Sequence, residues 1–385
     1  MNRTPQEPRD IPKGFRAYLS QEAEALASTE ASLVQTFANW GYERLYTPSL
    51  EYEDVIGRGL NDRILTNSYR IIDTLTGRVL LLRPDFTPSI ARAYSTATTQ
   101  LGQCARLCYS GPVFRSINKH EGNRAQTWQA GCEFFGCDSL FADQEIIELC
   151  LQAVQKVNSH NLNLVLTHSG FIRGVLQALE VAPAIEQAMV ETLHRKDATD
   201  LEALLAESGT TYSNREVLLK LPSLIGDQAV IEKARDLVIN PVSLAALDEL
   251  QTLVEMLSDL DVTITIDLSE LSNLNYYTGC SFELYDEDCD IKVAGGGRYD
   301  NLTAKYDCPT PAVGFAINTS HLCTAGQTGE TQPNLDYFVY SESDDLQKVQ
   351  QEVQRLRSEG QRVSWSLAEG ASSWKGRAVN SLQLP

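Results

Sequence analysis

The strand-forming stretches of this chain arrive in neighbouring pairs, and that restricts the sheet it can build. "YRIIDTLTGRVLLLRPD" (69–85) reads as two strands across the turn "LTGR". "CARLCYSGPVFRS" (104–116) and "TWQAGCEFFGCD" (127–138) flank one polar loop, and "GCSFELYDEDCDIKVAGGGRYD" (279–300) reads as a hairpin ending in a glycine run. Strands joined by short turns pair antiparallel, whereas parallel neighbours need a crossover of about a dozen residues or more. The helical signals come in blocks instead of alternating with the strands. The pattern predicts an α+β fold, an antiparallel β-sheet flanked by helices.

Helical spacing of Leu19, Leu26, Leu33, Val34 and Phe37 predicts a helix over 18–39, with Gly41 after its end. Further helices are expected over 89–99 and over 141–157, where Ile147, Cys150, Leu151 and Val154 share a face. Alternating Leu162, Leu164 and Leu166 mark a strand, as do Val262, Ile264, Ile266 and Leu268. Between them, helical signals over about 171–258 read as an insertion. "AVGFAIN" (312–318) reads as a strand leading into a helix. The main domain is thus expected over 1–327. Residues 328–385 read as a linker, a small β–α–β unit at 335–367 and a loose tail.

A formal net charge of −19 argues against a broad nucleic-acid surface, which needs clustered Lys and Arg. The charge is uneven: Gly57–Arg124 carries ten Lys/Arg and four acids, so it is +6 in a chain whose remainder is −25. That segment suits either a local anion site or scattered surface arginines. The nine cysteines include no CxxC pair, and the N-terminus is polar and proline-rich with no secretory signal. Reduced thiols in the cytoplasm are the expectation, with no metal and no cofactor. No apolar run approaches about 18 residues, so no membrane span is expected.

Five short stretches hold the candidate site. Arg115, ending "VFR", can offer a planar fork to a carboxylate or phosphate. Gln129 and Glu133 are four apart on the returning strand and share a face. A buried carboxylate at Glu133 needs a cationic or N–H partner, supplied by a protein arginine or by an amino-acid ligand. Asp85 and Thr87 either cap the following helix or hold a ligand ammonium group. Tyr276 and Tyr277 line a pocket or serve as core aromatics. "GGGRYD" permits close backbone approach to a ligand, or a bulge.

In order, "GYERLYTPSLE", "LLRPDFTPSIARA", "SGPVFR…WQAGCEFFG", "NYYTGCSFE", "AGGGRYDNL" and "TPAVGFAI" resemble the catalytic domain of class II histidyl-tRNA synthetases over about residues 11–325. The resemblance implies dimerisation through the region around Gly41–Glu51. The departures concern ATP and tRNA. Ile117 stands where the synthetases place the adenine-reading Glu, Lys119-His120 and Asn123-Arg124-Ala125 replace their loop signature, and Ser272 stands in place of the activating arginine. Asn318, Ser320 and His321 replace the closing Gly, Glu and Arg. Hydrogen bonds to charged groups contribute about 1.5–3 kcal/mol each. Two missing arginines therefore amount to about 3–6 kcal/mol, on the order of 10²–10⁴ in rate.

The positions that match the histidine pocket are kept: Asp85 (Glu in the synthetases), Thr87, Arg115, Gln129, Glu133, Tyr276 and Tyr277. A chain that keeps these and loses ATP activation resembles the regulatory subunits of ATP phosphoribosyltransferase. That family implies no catalysis of its own, activation of a short catalytic subunit in a hetero-oligomer, and feedback inhibition by L-histidine, without tRNA. The resemblance would put the histidine carboxylate or another anion on Arg115, the ammonium on Asp85 and Thr87, and the imidazole N–H on Glu133 with Tyr277, with Gln129 orienting the ligand. A true histidine–tRNA ligase and a synthetase-like paralogue acting on another target are the alternatives.

Overall fold

A computed structural model of the chain describes residues 10–19, 21–116, 124–157, 161–195, 197–208, 212–270, 276–325, 335–341, 345–367 and 378–384. Ile117, Lys119, His120, Asn123 and Ser272 lie outside them. The chain forms two compact units, divided after Ala325, with Ala17–Ala27 belonging to the second.

In chain order the elements up to Ala325 begin with α1 (Gln21–Asn39), β1 (Glu43–Arg44), β2 (Leu50–Tyr52), α2 (Glu53–Ile56), α3 (Asp62–Thr66), β3 (Arg70–Ile72), β4 (Val79–Leu82) and α4 (Thr87–Leu101). The central hairpin β5 (Ala105–Phe114) and β6 (Gln126–Phe135) follows, then α5 (Leu140–Lys156) and β7 (Leu162–His168). The insertion holds α6 (Ser169–Gln177), α7 (Pro183–His194), α8 (Ala198–Glu207), α9 (Tyr212–Lys220), β8 (Ile225–Gly226), α10 (Ala229–Arg235) and α11 (Pro241–Met256). The unit ends with β9 (Thr263–Asp267), β10 (Cys280–Asp286), β11 (Ile291–Arg298), β12 (Ala312–Asn318) and α12 (Thr319–Ala325).

Nine strands form the main sheet in the order β1-β5-β6-β12-β11-β10-β7-β9-β8. Every pairing is antiparallel except β1 with β5 and β7 with β9. The sheet is therefore mixed. Its parallel pairs arise where the chain returns after a long excursion: β1 meets β5 after the small β2-β4-β3 sheet and α4, and β7 meets β9 after the whole insertion.

Side-chain alternation on β6 shows how the sheet separates its two faces. Ala130, Cys132 and Phe134 enter the large apolar cluster with Phe37 of α1, Ile146 and Cys150 of α5, Phe171 of α6 and Leu250 of α11. Phe135 points the other way, into a smaller cluster with Ile90 and Tyr94 of α4, Tyr109 of β5 and Tyr299. Glu133 shares that second face. Tyr94 and Phe135 stack with centroids 4.3 Å apart, fixing α4 against the sheet.

Caps set the helix starts. Ser139 Oγ accepts from Phe141 N at the start of α5, and Asn240 Oδ1 accepts from Ser243 N where Pro241 opens α11. His168 starts α6 by accepting from Gly170 N at 3.1 Å, while its other ring nitrogen meets Glu249 at 3.0 Å.

The second unit contains β13 (Leu335–Ser341), α13 (Leu346–Ser358), β14 (Val363–Leu367) and β15 (Ala378–Leu384), with sheet order β14-β13-β15. Val339 packs with Val349, Val353 and Leu356 of α13, and Phe338 and Tyr340 face the other way. The sequence reading made 371–385 a loose tail. Residues 378–384 instead pair parallel to β13 as a third strand. The seven-residue "AVNSLQL" was too polar to signal a strand by itself and is held by its neighbour's open edge.

Candidate ligand site

Glu133 lies mid-strand on β6, opposite Leu107 of β5 and Gly314 of β12. The same row continues through Gly297 of β11 to Ser281 of β10. Two glycines and a serine thus leave three strands bare beside a carboxylate. A Cβ at Gly314 would collide with that carboxylate, and one at Gly297 would strike Ser281. These are positions where only backbone fits, and they form a flat shelf.

The Glu133 side chain is completely buried. The Tyr299 hydroxyl donates to its Oε2, and Oε1 has no hydrogen-bond partner. Burial pushes the acid up to about 8, with the Asp85 charge adding to the rise and the Tyr299 and Thr87 hydroxyls opposing it. An unpaired buried polar atom costs roughly 1–3 kcal/mol, more if charged. That oxygen, with the Thr87 hydroxyl beside the carboxyl, is a candidate point of contact for a ligand.

Tyrosines wall this point. Tyr276 lies 5.1 Å from Tyr277 edge-on and 5.7 Å from Tyr299, ring centroid to ring centroid. Burial, then the Glu133 charge, raises the Tyr109 and Tyr299 hydroxyls well above their ordinary value. Tyr276 and Tyr277 are raised by burial and next by Asp85, so both remain neutral donors at physiological pH. Beside Tyr277 lies a small cleft of about 40 Å³, lined by Thr167, Ser169, Glu270, Ser281, Glu283 and Lys292 among others.

Asp85 and Arg115 meet each other directly. Arg115 Nη2 donates to Asp85 Oδ2 at 2.7 Å, and its Nε donates to Pro84 O at 2.8 Å. The other Asp85 oxygen accepts from Thr87 N at 3.1 Å at the start of α4. The resemblance would put a ligand carboxylate or another anion on Arg115 and its ammonium on Asp85, with a capping role for Asp85 as the alternative. The structure shows Asp85, one residue before the N-cap position Phe86, accepting from the first N–H of α4 together with the ion pair. Arg115 and Asp85 keep side-chain exposures of 40% and 24%, which leaves the pair open to competition from a ligand. Gln129 lies on the same face as Glu133, two strand repeats away, between Gly111 and Asn318 in register.

Two members of this constellation carried no signal as candidates in the sequence. Tyr109 was one strand residue among many. Tyr299 follows the glycine run directly after Arg298. Arg298 instead projects to the opposite face, where it pairs with buried Asp143 and donates to Cys137 O and Ser139 O at 3.0 Å each. The single-residue alternation of a strand separates the two roles.

The positions matching the synthetase ATP motif are occupied by internal contacts. Ser320 Oγ accepts from Trp128 N at 3.0 Å, and His321 Nδ1 lies 3.2 Å from Lys292 O.

Comparison with known proteins gives this geometry a family. The family model of histidyl-tRNA synthetase matches residues 14–322. The ATP phosphoribosyltransferase regulatory subunit of Geobacter sulfurreducens is 33% identical over 355 residues, covering 91% of this chain and 81% of the relative. The chain belongs to the ATP phosphoribosyltransferase regulatory subunit family. The same subunit of Chromohalobacter salexigens is 31% identical over 93% of this chain and 91% of its own.

Solved structures of regulatory subunits and synthetases share the fold. An ATP phosphoribosyltransferase regulatory subunit/histidyl-tRNA synthetase from Bacillus halodurans aligns with a TM-score of 0.86 at 24% identity, over 98% of both chains. A histidine–tRNA ligase subunit from Alicyclobacillus acidocaldarius aligns with a TM-score of 0.68 at 25% identity, over 83% of this chain and 97% of that one. The fold is thus the class II synthetase-like one. Among the described residues, eight cysteines are free and no cluster of three or more His, Cys, Asp or Glu side chains could hold a metal ion. None of the described helices is long and apolar enough to cross a membrane.

Proposed function

We propose that this chain is a regulatory subunit with no catalysis of its own, which activates a short ATP phosphoribosyltransferase catalytic subunit in the cytoplasm and carries its feedback inhibition by L-histidine. One observation carries the histidine part: the buried Glu133 carboxyl, with one oxygen unpartnered, among tyrosines and beside a bare shelf. An imidazole has the N–H that this oxygen lacks, and its flat ring suits a glycine floor. The histidine ammonium takes Asp85 and Thr87, its carboxylate takes Arg115, and Gln129 orients it. Binding then opens the Arg115–Asp85 ion pair.

Two further readings support the regulatory role. Ser320 and His321 are engaged inside the chain where a ligase would read ATP. An apolar surface near Gly41–Glu51 suits a second copy of the chain: Tyr46 and Leu50 are exposed, as are Ile71, Ile72 and Leu75 of the small sheet. Histidine titrated into the purified chain should give one calorimetric site that Glu133→Ala weakens about tenfold or more, with no histidine-dependent ATP–pyrophosphate exchange. Exchange activity would establish the ligase instead, and an unchanged affinity in the variant would remove the pocket.

A further inference from the structure

The turn that carries Tyr276 and Tyr277 is held from two sides. On one side, Thr278 N donates to Arg298 O at 2.7 Å and the Thr278 hydroxyl donates to Asp300 at 2.8 Å, both just beyond the glycine run. On the other side stands α6, the first helix of the insertion. Ser169 N and Oγ donate to Gly279 O at 3.1 and 3.2 Å, and Arg173 Nη2 donates to Tyr277 O at 3.0 Å. Arg173 thus reaches from the second turn of α6 to the backbone of a pocket tyrosine.

That helix is itself tightly seated. Ser243 Oγ of α11 donates to Phe171 O at 2.7 Å, and a Cβ at Gly174 would strike Asn240 Oδ1 and Ser243 Oγ. Packing this close passes small displacements on to the next layer instead of absorbing them. The path from α11 through α6 and Arg173 to Tyr277 is therefore continuous.

We propose that Arg173 is a positioning residue for the bound ligand, holding the Tyr276–Tyr277 turn against the pocket and tying that turn to the helical insertion. This rests on histidine binding at Glu133 and Tyr277, as proposed above. It adds that ligand affinity depends on an insertion residue placed behind the turn.

The test uses the full chain with Arg173→Ala, Arg173→Lys and Arg173→Gln. Calorimetry reads binding of L-histidine and of histidine methylated on the ring nitrogen, with thermal unfolding alongside. This bond is internal to the chain, so its loss reaches the ligand only through the turn, and about tenfold in affinity is the low end of what a charged donor to a carbonyl contributes. Arg173→Ala should weaken histidine about tenfold and the methylated analogue less, because the ring end is the part misplaced. Arg173→Lys, which keeps a charged donor, should recover most of the loss. If Arg173→Ala fails to fold, a folded Arg173→Gln should bind with intermediate affinity. Wild-type affinity in a folded Ala or Gln variant overturns the inference alone, as does an equal loss for both ligands with no rescue by lysine. A wild-type chain that binds no histidine overturns the underlying reading and the inference with it.

Discussion

Replacing Glu133 with glutamine should change how stability depends on pH. In the unfolded chain this acid ionises near its ordinary value of 4.5, and in the fold near 8. Between those values the unfolded state has lost a proton that the native state keeps, so stability falls as pH rises. The contribution is fully present below about 4.5 and gone above about 8. At about 1.4 kcal/mol per pH unit the interval sums to about 5 kcal/mol. Complete burial of the side chain justifies using the whole interval as the upper value. Glu133→Gln keeps an acceptor for the Tyr299 hydroxyl and carries no titrating proton. Urea unfolding of both proteins from pH 4.5 to 9 should show the variant gaining on wild type, by several kcal/mol in total, with the difference levelling off above about pH 8. A difference that stays flat with pH would refute the claim that this carboxyl is held protonated by burial.

Histidine binding should itself depend on pH, read by calorimetry. Below about 6.5 the free imidazole is protonated while Glu133 still holds its own proton, so binding must release one, whereas above about 8 the ionised Glu133 accepts the neutral imidazole N–H with no proton taken up. Affinity should therefore fall as pH drops below about 6.5 without a matching loss above about 8, and an affinity that does not fall at low pH would contradict the shared N–H. Gly314→Ala should weaken both folding and histidine binding, because the added methyl falls on the Glu133 carboxylate and 2.6 Å from Cys132 O; normal binding by a folded variant would disprove the shelf. Asp143→Ala should cost about 3–5 kcal/mol in urea unfolding, since it strands the buried Arg298. A loss under about 1 kcal/mol would show that Arg298 is satisfied by Asp300 and the Cys137 and Ser139 carbonyls.

The central hairpin was legible from the sequence because two stretches rich in apolar and aromatic residues, 105–114 and 126–135, flank one polar loop. The helices now seen as α1, α4 and α5 were legible because each repeats its apolar residues with helical spacing. Less visible were pairings that depend on distant chain. Two-residue β1 is a strand only because β5 lies beside it, and β15 only because β13 leaves an edge open. The site followed the same division. Glu133, Tyr276 and Tyr277 stand in recognisable motifs. The Tyr299 hydroxyl that meets Glu133 comes from 166 residues away, and no local pattern announces it. The Arg115–Asp85 pair was hidden for a different reason. Each residue was read for what it could offer a ligand, and two such offers of opposite charge at close range satisfy each other first.

The regulatory role is decided by phosphoribosyl transfer of a short ATP phosphoribosyltransferase catalytic subunit, measured alone, with this chain, and with this chain plus L-histidine. The predicted result is activity that appears on adding the chain, falls as histidine is added, and resists histidine when the chain carries Glu133→Ala. No activation by the chain would contradict the regulatory reading, and equal inhibition of wild type and variant would contradict the pocket.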